Sequence, residues 1–153
     1  MDGVLSDFDG HYRDLFGEDH AHDSNESMKW DRIRDHGMFF QTQPLMPDAL
    51  ELWQGLLDYH PTPVILSGIP YSIPNVAYQK GQWRDRYFPG IRLICCASRD
   101  KCLHGKRGDI LIDDRSKYMR YWTEMGGEFI HHTSVSRTLW VVSTLFGGAK
   151  PGR

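Results

Sequence analysis

The sequence predicts an α/β fold in which short parallel strands alternate with helices and a helical segment is inserted near the start. Three observations carry this. Apolar runs recur at 63–66 (PVIL), 91–96 (IRLICC) and 110–112 (ILI), each leading into small, polar or charged residues, the mark of buried parallel strands whose C-terminal ends carry the functional loops. Helical patterns lie between them. The stretch 18–44 has no strand signal and is rich in charge and histidine.

Taken in order, 1–10 (MDGVLSDFDG) sets three carboxylates within eight residues, two of them before glycine. An Asp-Gly pair allows a tight turn that brings backbone and carboxylate close to an anion or a metal. Residues 18–44 read as an inserted helical cap. Pro47 and Asp48 open a helix in which Leu50, Trp53, Leu56 and Leu57 recur at helical spacing, and 75–87 repeats the pattern with Val76, Tyr78, Trp83 and Tyr87. A fourth strand, 128–131 (EFIH), follows the Gly126-Gly127 pair. The tail GGAKPGR offers no apolar face to dock and reads as a frayed end.

The chain has 153 residues, 40% hydrophobic and 25% charged, enough for a single domain and too few for two. Its formal charge of −2, from 18 basic and 20 acidic residues, gives no electrostatic reason to expect a nucleic-acid polymer or an acidic membrane as partner. No apolar run reaches the length of a bilayer span and no signal peptide opens the chain, so a cytoplasmic location is expected. Cys95, Cys96 and Cys102 fall in one stretch without zinc spacing and read as reduced thiols, the adjacent pair being buried in its strand.

The most informative segment is 108–115 (GDILIDDR), a buried strand that ends in two adjacent carboxylates. Two negative charges at such a tip are costly unless a cation joins them, and Mg²⁺ is the economical partner. Ser67-Gly68 places a hydroxyl and a small residue at another strand end, suited to a phosphoryl oxygen. In 98–101 (SRDK), Lys101 is placed to neutralise charge on a transferred phosphoryl group. Phe8, beside the first motif, and Trp30, Phe39 and Phe40, in or beside the cap, offer faces on which a nucleobase stacks; ordinary packing explains Phe39 and Phe40 equally well. Trp53, Trp83 and Trp122 read as core. His20, His22, His131 and His132 lack zinc spacing and read as surface or supporting residues. Arg115 and Lys117 stand open between phosphate contact and solvation.

Together and in this order, DGVLSDFDG, MFFQTQPLMPDALELW, VILSG, KGQWRDRYF, SRDK, GDILIDDR and GGEFIHHTS resemble the haloacid dehalogenase superfamily, and more closely its 5'(3')-deoxyribonucleotidase-like branch, over almost the whole chain. The resemblance implies a Rossmann-like, three-layer parallel sheet with a small helical cap, and Mg²⁺-dependent hydrolysis of a phosphate monoester, a (deoxy)nucleoside monophosphate, through an aspartyl-phosphate. It makes Asp2 the general acid/base and, with Asp113 and Asp114, part of the metal site. Ser67 and Gly68 become the phosphate loop, Lys101 the lysine joining nucleophile and phosphate, and Phe8 and Trp30 substrate contacts. The family motif is Asp-x-Asp-Gly-Val, and Met1 occupies its x. The resemblance therefore implies an apolar strand and a nucleophilic Asp upstream. The alternative register takes Asp7 as nucleophile and Asp9 as acid/base. Two further alternatives are a degenerate member that binds Mg²⁺ or nucleotide without turnover, and a phosphatase for another small phosphate ester.

Overall fold

The computed structural model describes residues 1–18, 20 and 26–148. The N-terminal residues fold back on themselves: the Met1 carbonyl accepts the amides of Val4, Leu5 and Ser6, and the Leu5 carbonyl accepts the amide of Met46. Helix α1 (Phe8–Phe16) starts where the Asp7 carboxylate accepts the Gly10 amide at 2.9 Å, a side-chain N-cap, and stops at Gly17. Helices α2 (Glu26–His36) and α3 (Phe39–Thr42) follow within the expected cap. His22 and part of that stretch lie outside the described residues, as does the tail beyond Gly148.

Helix α4 (Ala49–Leu57) leads to strand β1 (Ile65–Gly68), α5 (Val76–Tyr87) and strand β2 (Leu93–Cys96). A 3₁₀ segment (Ser98–His104) precedes β3 (Ile110–Asp113), α6 (Met119–Glu124), β4 (Glu128–His131) and α7 (Val135–Leu145). β1 pairs with β2 in parallel from Ile65↔Leu93 to Gly68↔Cys96, and β3 pairs with β4 in parallel from Ile110↔Glu128 to Asp113↔His131. The α/β class with parallel strands is thus present. The single three-layer sheet is not: the described strands form two separate two-stranded sheets. Residues 1–6 form a turn around the Met1 carbonyl and make only isolated bridges, Asp2 to Ser6 and Ser6 to Leu45.

Two apolar clusters fix the elements. One joins Met1, Leu5, Leu52, Trp53, Ile65 and Trp83 beneath the strands, with the Trp83 indole donating to the Gln43 carbonyl at 2.9 Å. Trp53, Trp83 and Trp122 are buried, as expected. Leu50 is instead 56% exposed, and α4 turns Ala49, Leu52 and Trp53 inward. The other cluster packs Phe8, Tyr12, Ile33, Phe39 and Phe40 against Ile73 and Val76, so α1 belongs with the cap helices as much as with the strands. No described helix is long and apolar enough to cross a membrane.

Candidate active site

The C-terminal ends of β1 and β3 open into a cleft of about 380 Å³. Its walls contain Asp2, Phe8, Trp30, Ser67, Gly68, Lys101, Asp113 and Asp114, the residues to which the family resemblance gives roles in catalysis, substrate or metal binding. These positions are up to 112 residues apart in the chain, so their meeting in one cavity is a property of the fold.

Asp2 is placed by the N-terminal turn. Gly3 follows it at φ 68°, and a Cβ there would collide with the Asp114 carboxylate. Glycine thus supplies the backbone conformation and lets the two acidic loops approach. Asp2 Oδ1 accepts the Ser6 hydroxyl at 3.2 Å, and Oδ2 accepts Lys80 Nζ at 2.5 Å. Burial pushes the Asp2 carboxyl up, but the Lys80 ammonium, the N-terminal ammonium and the hydrogen bonds from Lys80 and Ser6 outweigh it, and the carboxyl lies below its ordinary range.

Lys80 is the residue that sequence reasoning missed. It is fully buried, and its three ammonium protons go to Asp2, to Ser67 Oγ at 2.7 Å and to the Gly68 carbonyl at 3.0 Å. Its Nζ also lies 5.0 Å from the centre of the Phe40 ring. The signal was present in KGQWRDRYF: Lys80 stands four residues after Val76 and three before Trp83, both buried, which places it on the inner face of α5. A lysine at that position is held inside only by a full set of acceptors.

At the tip of β3, Lys101 Nζ lies 2.5 Å from Asp113 Oδ2, and the Arg115 amide donates to Asp113 Oδ1 at 3.0 Å. Burial raises the Asp113 carboxyl, and Lys101 and these hydrogen bonds more than reverse the effect. Asp114 is treated differently: burial first and the Asp113 charge second push it up to about 6. His131 Nε2 meets the Asp114 carbonyl oxygen at 2.9 Å and steadies this turn. Lys101 therefore serves Asp113, while Lys80 stands between Asp2 and the β1 loop.

Among the described residues no three His, Cys, Asp or Glu side chains form a group able to hold a metal ion by themselves. The acidic pair still fits Mg²⁺ in its chemistry. Its donors are hard oxygens, Asp114 is a carboxylate whose charge is not fully compensated, and Mg²⁺ is commonly bound by one or two carboxylates with water and substrate phosphate completing its shell.

Phe8, Trp30 and Phe40 also line the cleft. Phe39 is fully buried behind them and does not reach the cleft, so packing accounts for it. His20 departs from the surface reading: it is buried, lines the cleft and meets Phe8 edge to face at 4.9 Å. His132 is buried against Thr138, its Nδ1 2.8 Å from Oγ1. Arg99, Arg115 and Lys117 form the basic side of the cleft. Asp7 is absent from the lining, its carboxylate being committed to the N-cap of α1. Burial raises the Cys95 and Cys96 thiols, in keeping with unreactive side chains.

No protein-family model matches the chain, and no curated protein is significantly similar to it.

Proposed function

We propose that this fold carries a Mg²⁺-dependent phosphatase site for (deoxy)nucleoside monophosphates, in a Rossmann-like domain related to the deoxyribonucleotidase-like phosphatases. The supporting observation is the convergence of Asp2, Ser67, Lys101 and the Asp113-Asp114 pair on one cleft that Phe8, Trp30 and Phe40 also line, with the buried Lys80 holding Asp2 and Ser67.

In this reading a phosphate rests against Ser67, whose hydroxyl proton is free to point at it while Oγ accepts from Lys80. Lys101 and the basic rim offset its charge. Mg²⁺, held by Asp113 and Asp114, would supply electrostatic stabilisation of the phosphoryl oxygens. The pattern of the family that the chain resembles puts the attacking carboxylate two residues ahead of the acid/base, the role that Asp2 matches. The carboxylate forms a bond to phosphorus as the bond to the ribose oxygen breaks, and Asp2 gives that oxygen a proton. Water then attacks the aspartyl-phosphate and returns its proton to Asp2. Asp2 rests in its base form beside Lys80, and a phosphate dianion arriving next to it raises its proton affinity. Phe8 and Trp30 take the base.

A second reading applies to the 153 residues alone: Mg²⁺ or nucleotide binding without turnover. It is favoured by the cleft's own carboxylates, since Asp2 and Asp113 are each engaged by a lysine.

Phosphate release from a panel of deoxynucleoside monophosphates tests both. Turnover is expected when an aspartate is bonded ahead of Met1, is lost in Asp2→Asn and is unaffected by Asp7→Asn. Turnover by the 153-residue chain that Asp7→Asn abolishes would instead establish the internal register.

A further inference from the structure

Among the described residues, the carboxylates that line the cleft are those of Asp2, Asp9, Asp113 and Asp114. Lys80 holds Asp2, Lys101 holds Asp113, and Asp114, 3.9 Å from Arg115, is the one left for a cation. Asp9 has no task in the proposed reaction. It stands exposed in the first turn of α1, and among the described residues no hydrogen bond or ion pair reaches its side chain, whereas Asp7 caps the same helix. A negative charge in a first helical turn is mildly favourable, but that role needs no cleft.

The charges in the lining fix how a nucleotide lies. Its phosphate is drawn to Lys101, Arg99, Arg115 and Lys117 and is repelled by the unpaired carboxylate of Asp9, so the end of the nucleotide that meets Asp9 is the base. Asp9 follows Phe8 directly, and the Phe8 ring lies 4.9 Å from His20 and 6.5 Å from Trp30, both of which also line the cleft. The Phe8 and Trp30 rings are inclined by 56°, a corner and not a pair of parallel jaws. A base therefore lies flat on one ring and keeps its edge free for hydrogen bonds. The Asp9 carboxylate offers that edge two acceptor oxygens and no donor.

We propose that Asp9 reads the base and selects guanine, so that the substrate class of this site is a (deoxy)guanosine monophosphate. Guanine alone among the common bases has two adjacent donors on its pairing edge, N1–H and the N2 amino group, and a carboxylate takes both in a bidentate pair. Adenine and cytosine set one amino donor beside a ring-nitrogen acceptor, and thymine and uracil flank their one N–H with two carbonyl oxygens. Each of these edges turns an acceptor toward a carboxylate oxygen, a mismatch that costs binding. The inference rests on the nucleotide reading of the cleft and adds the base to it.

The test is calorimetric titration of dGMP, dIMP, dAMP, dCMP and dTMP, each with saturating Mg²⁺, into the 153-residue chain and its Asp9→Asn and Asp9→Ala variants. dGMP is expected to bind about tenfold tighter or more than dAMP, dCMP and dTMP, and dIMP, which keeps N1–H but lacks the amino group, to fall between. In both variants dGMP and dIMP should bind alike. That ratio decides, because a carboxylate that acts only on the helix terminus gives the parent chain no reason to tell the two apart. Equal binding of dGMP and dIMP by the parent chain, tightest binding of another base, or a dGMP preference that survives both substitutions would overturn the assignment and leave the nucleotide reading intact. The comparison on the parent chain holds even where a variant fails to fold. Binding of none of the five would overturn the nucleotide reading, and this assignment with it.

Discussion

The two halves of the site solve the same problem, a carboxylate at the floor of a cleft, in opposite ways. On the β1 side a fully buried lysine spends all three protons on Asp2, Ser67 and Gly68, and the charge is balanced within the protein. On the β3 side Lys101 serves Asp113 alone, and Asp114 is left with a carboxyl pushed up to about 6. In the proposed reaction the balanced half serves proton transfer beside the phosphate, and the unbalanced half would be stabilised by an added cation. A site with both halves compensated would have little use for Mg²⁺.

The largest expected effect comes from breaking the balanced half. Lys80→Met leaves Asp2 without its partner and removes a donor from Ser67 and Gly68, a loss of about 3 kcal/mol in urea denaturation. Asp2 keeps some solvent exposure, which holds the cost to the lower end for a broken buried pair. Lys101→Met costs less, about 2 kcal/mol, because Lys101 holds Asp113 alone where Lys80 holds three acceptors. A loss for Lys101→Met as large as that for Lys80→Met would erase the contrast between the halves.

Gly3→Ala comes next. It forces a side chain into φ 68° and against Asp114, at about 1–3 kcal/mol, and weakens Mg²⁺ binding measured by calorimetry because Asp114 must move.

The pH dependence separates the halves by sign. The folded pKa of Asp114 is raised, so its contribution is present below about pH 4 and is lost as pH rises through about 6. Asp2 and Asp113 are lowered, so theirs is present above the ordinary carboxylate range and is lost as pH falls. Asp114→Asn should therefore raise the unfolding free energy at pH 7–8, by about 1 kcal/mol after solvent screening, and the gain should vanish near pH 4. Saturating Mg²⁺ should remove the gain by stabilising the parent chain alone. The smallest effect is expected for Asp7→Asn, within about 0.5 kcal/mol, since asparagine caps α1 as aspartate does.

The sequence was a good guide where a short apolar run marks a strand. It located β4 to the residue, most of β2 and β3 and the first half of β1, although β4 exposes Glu128 and His131 at its ends and was marked instead by the Gly126-Gly127 pair before it. It missed α1, reading Asp7-Phe8-Asp9-Gly10 as a loop motif although Asp7 caps a helix there, and it had no pattern for α6 or the 3₁₀ segment around Lys101. Strand pairing is not written in a run of apolar residues, so the division into two half-sheets needed the structure. Site residues at strand tips were legible because charge after an apolar run is conspicuous. Lys80 was not, since a lysine on a helix is ordinarily solvated and only its acceptors, 78 residues away at Asp2 and 13 away at Ser67, show otherwise.

The most direct test of the central claim, that one cleft joins a cation half to a phosphate half, is calorimetric titration of a deoxynucleoside monophosphate into the chain with and without Mg²⁺. Binding is expected to require Mg²⁺, to fall at least tenfold in Asp114→Asn, and to weaken in Trp30→Ala for the nucleotide but not for inorganic phosphate. Binding that is independent of Mg²⁺ and unchanged by Asp114→Asn would contradict the account.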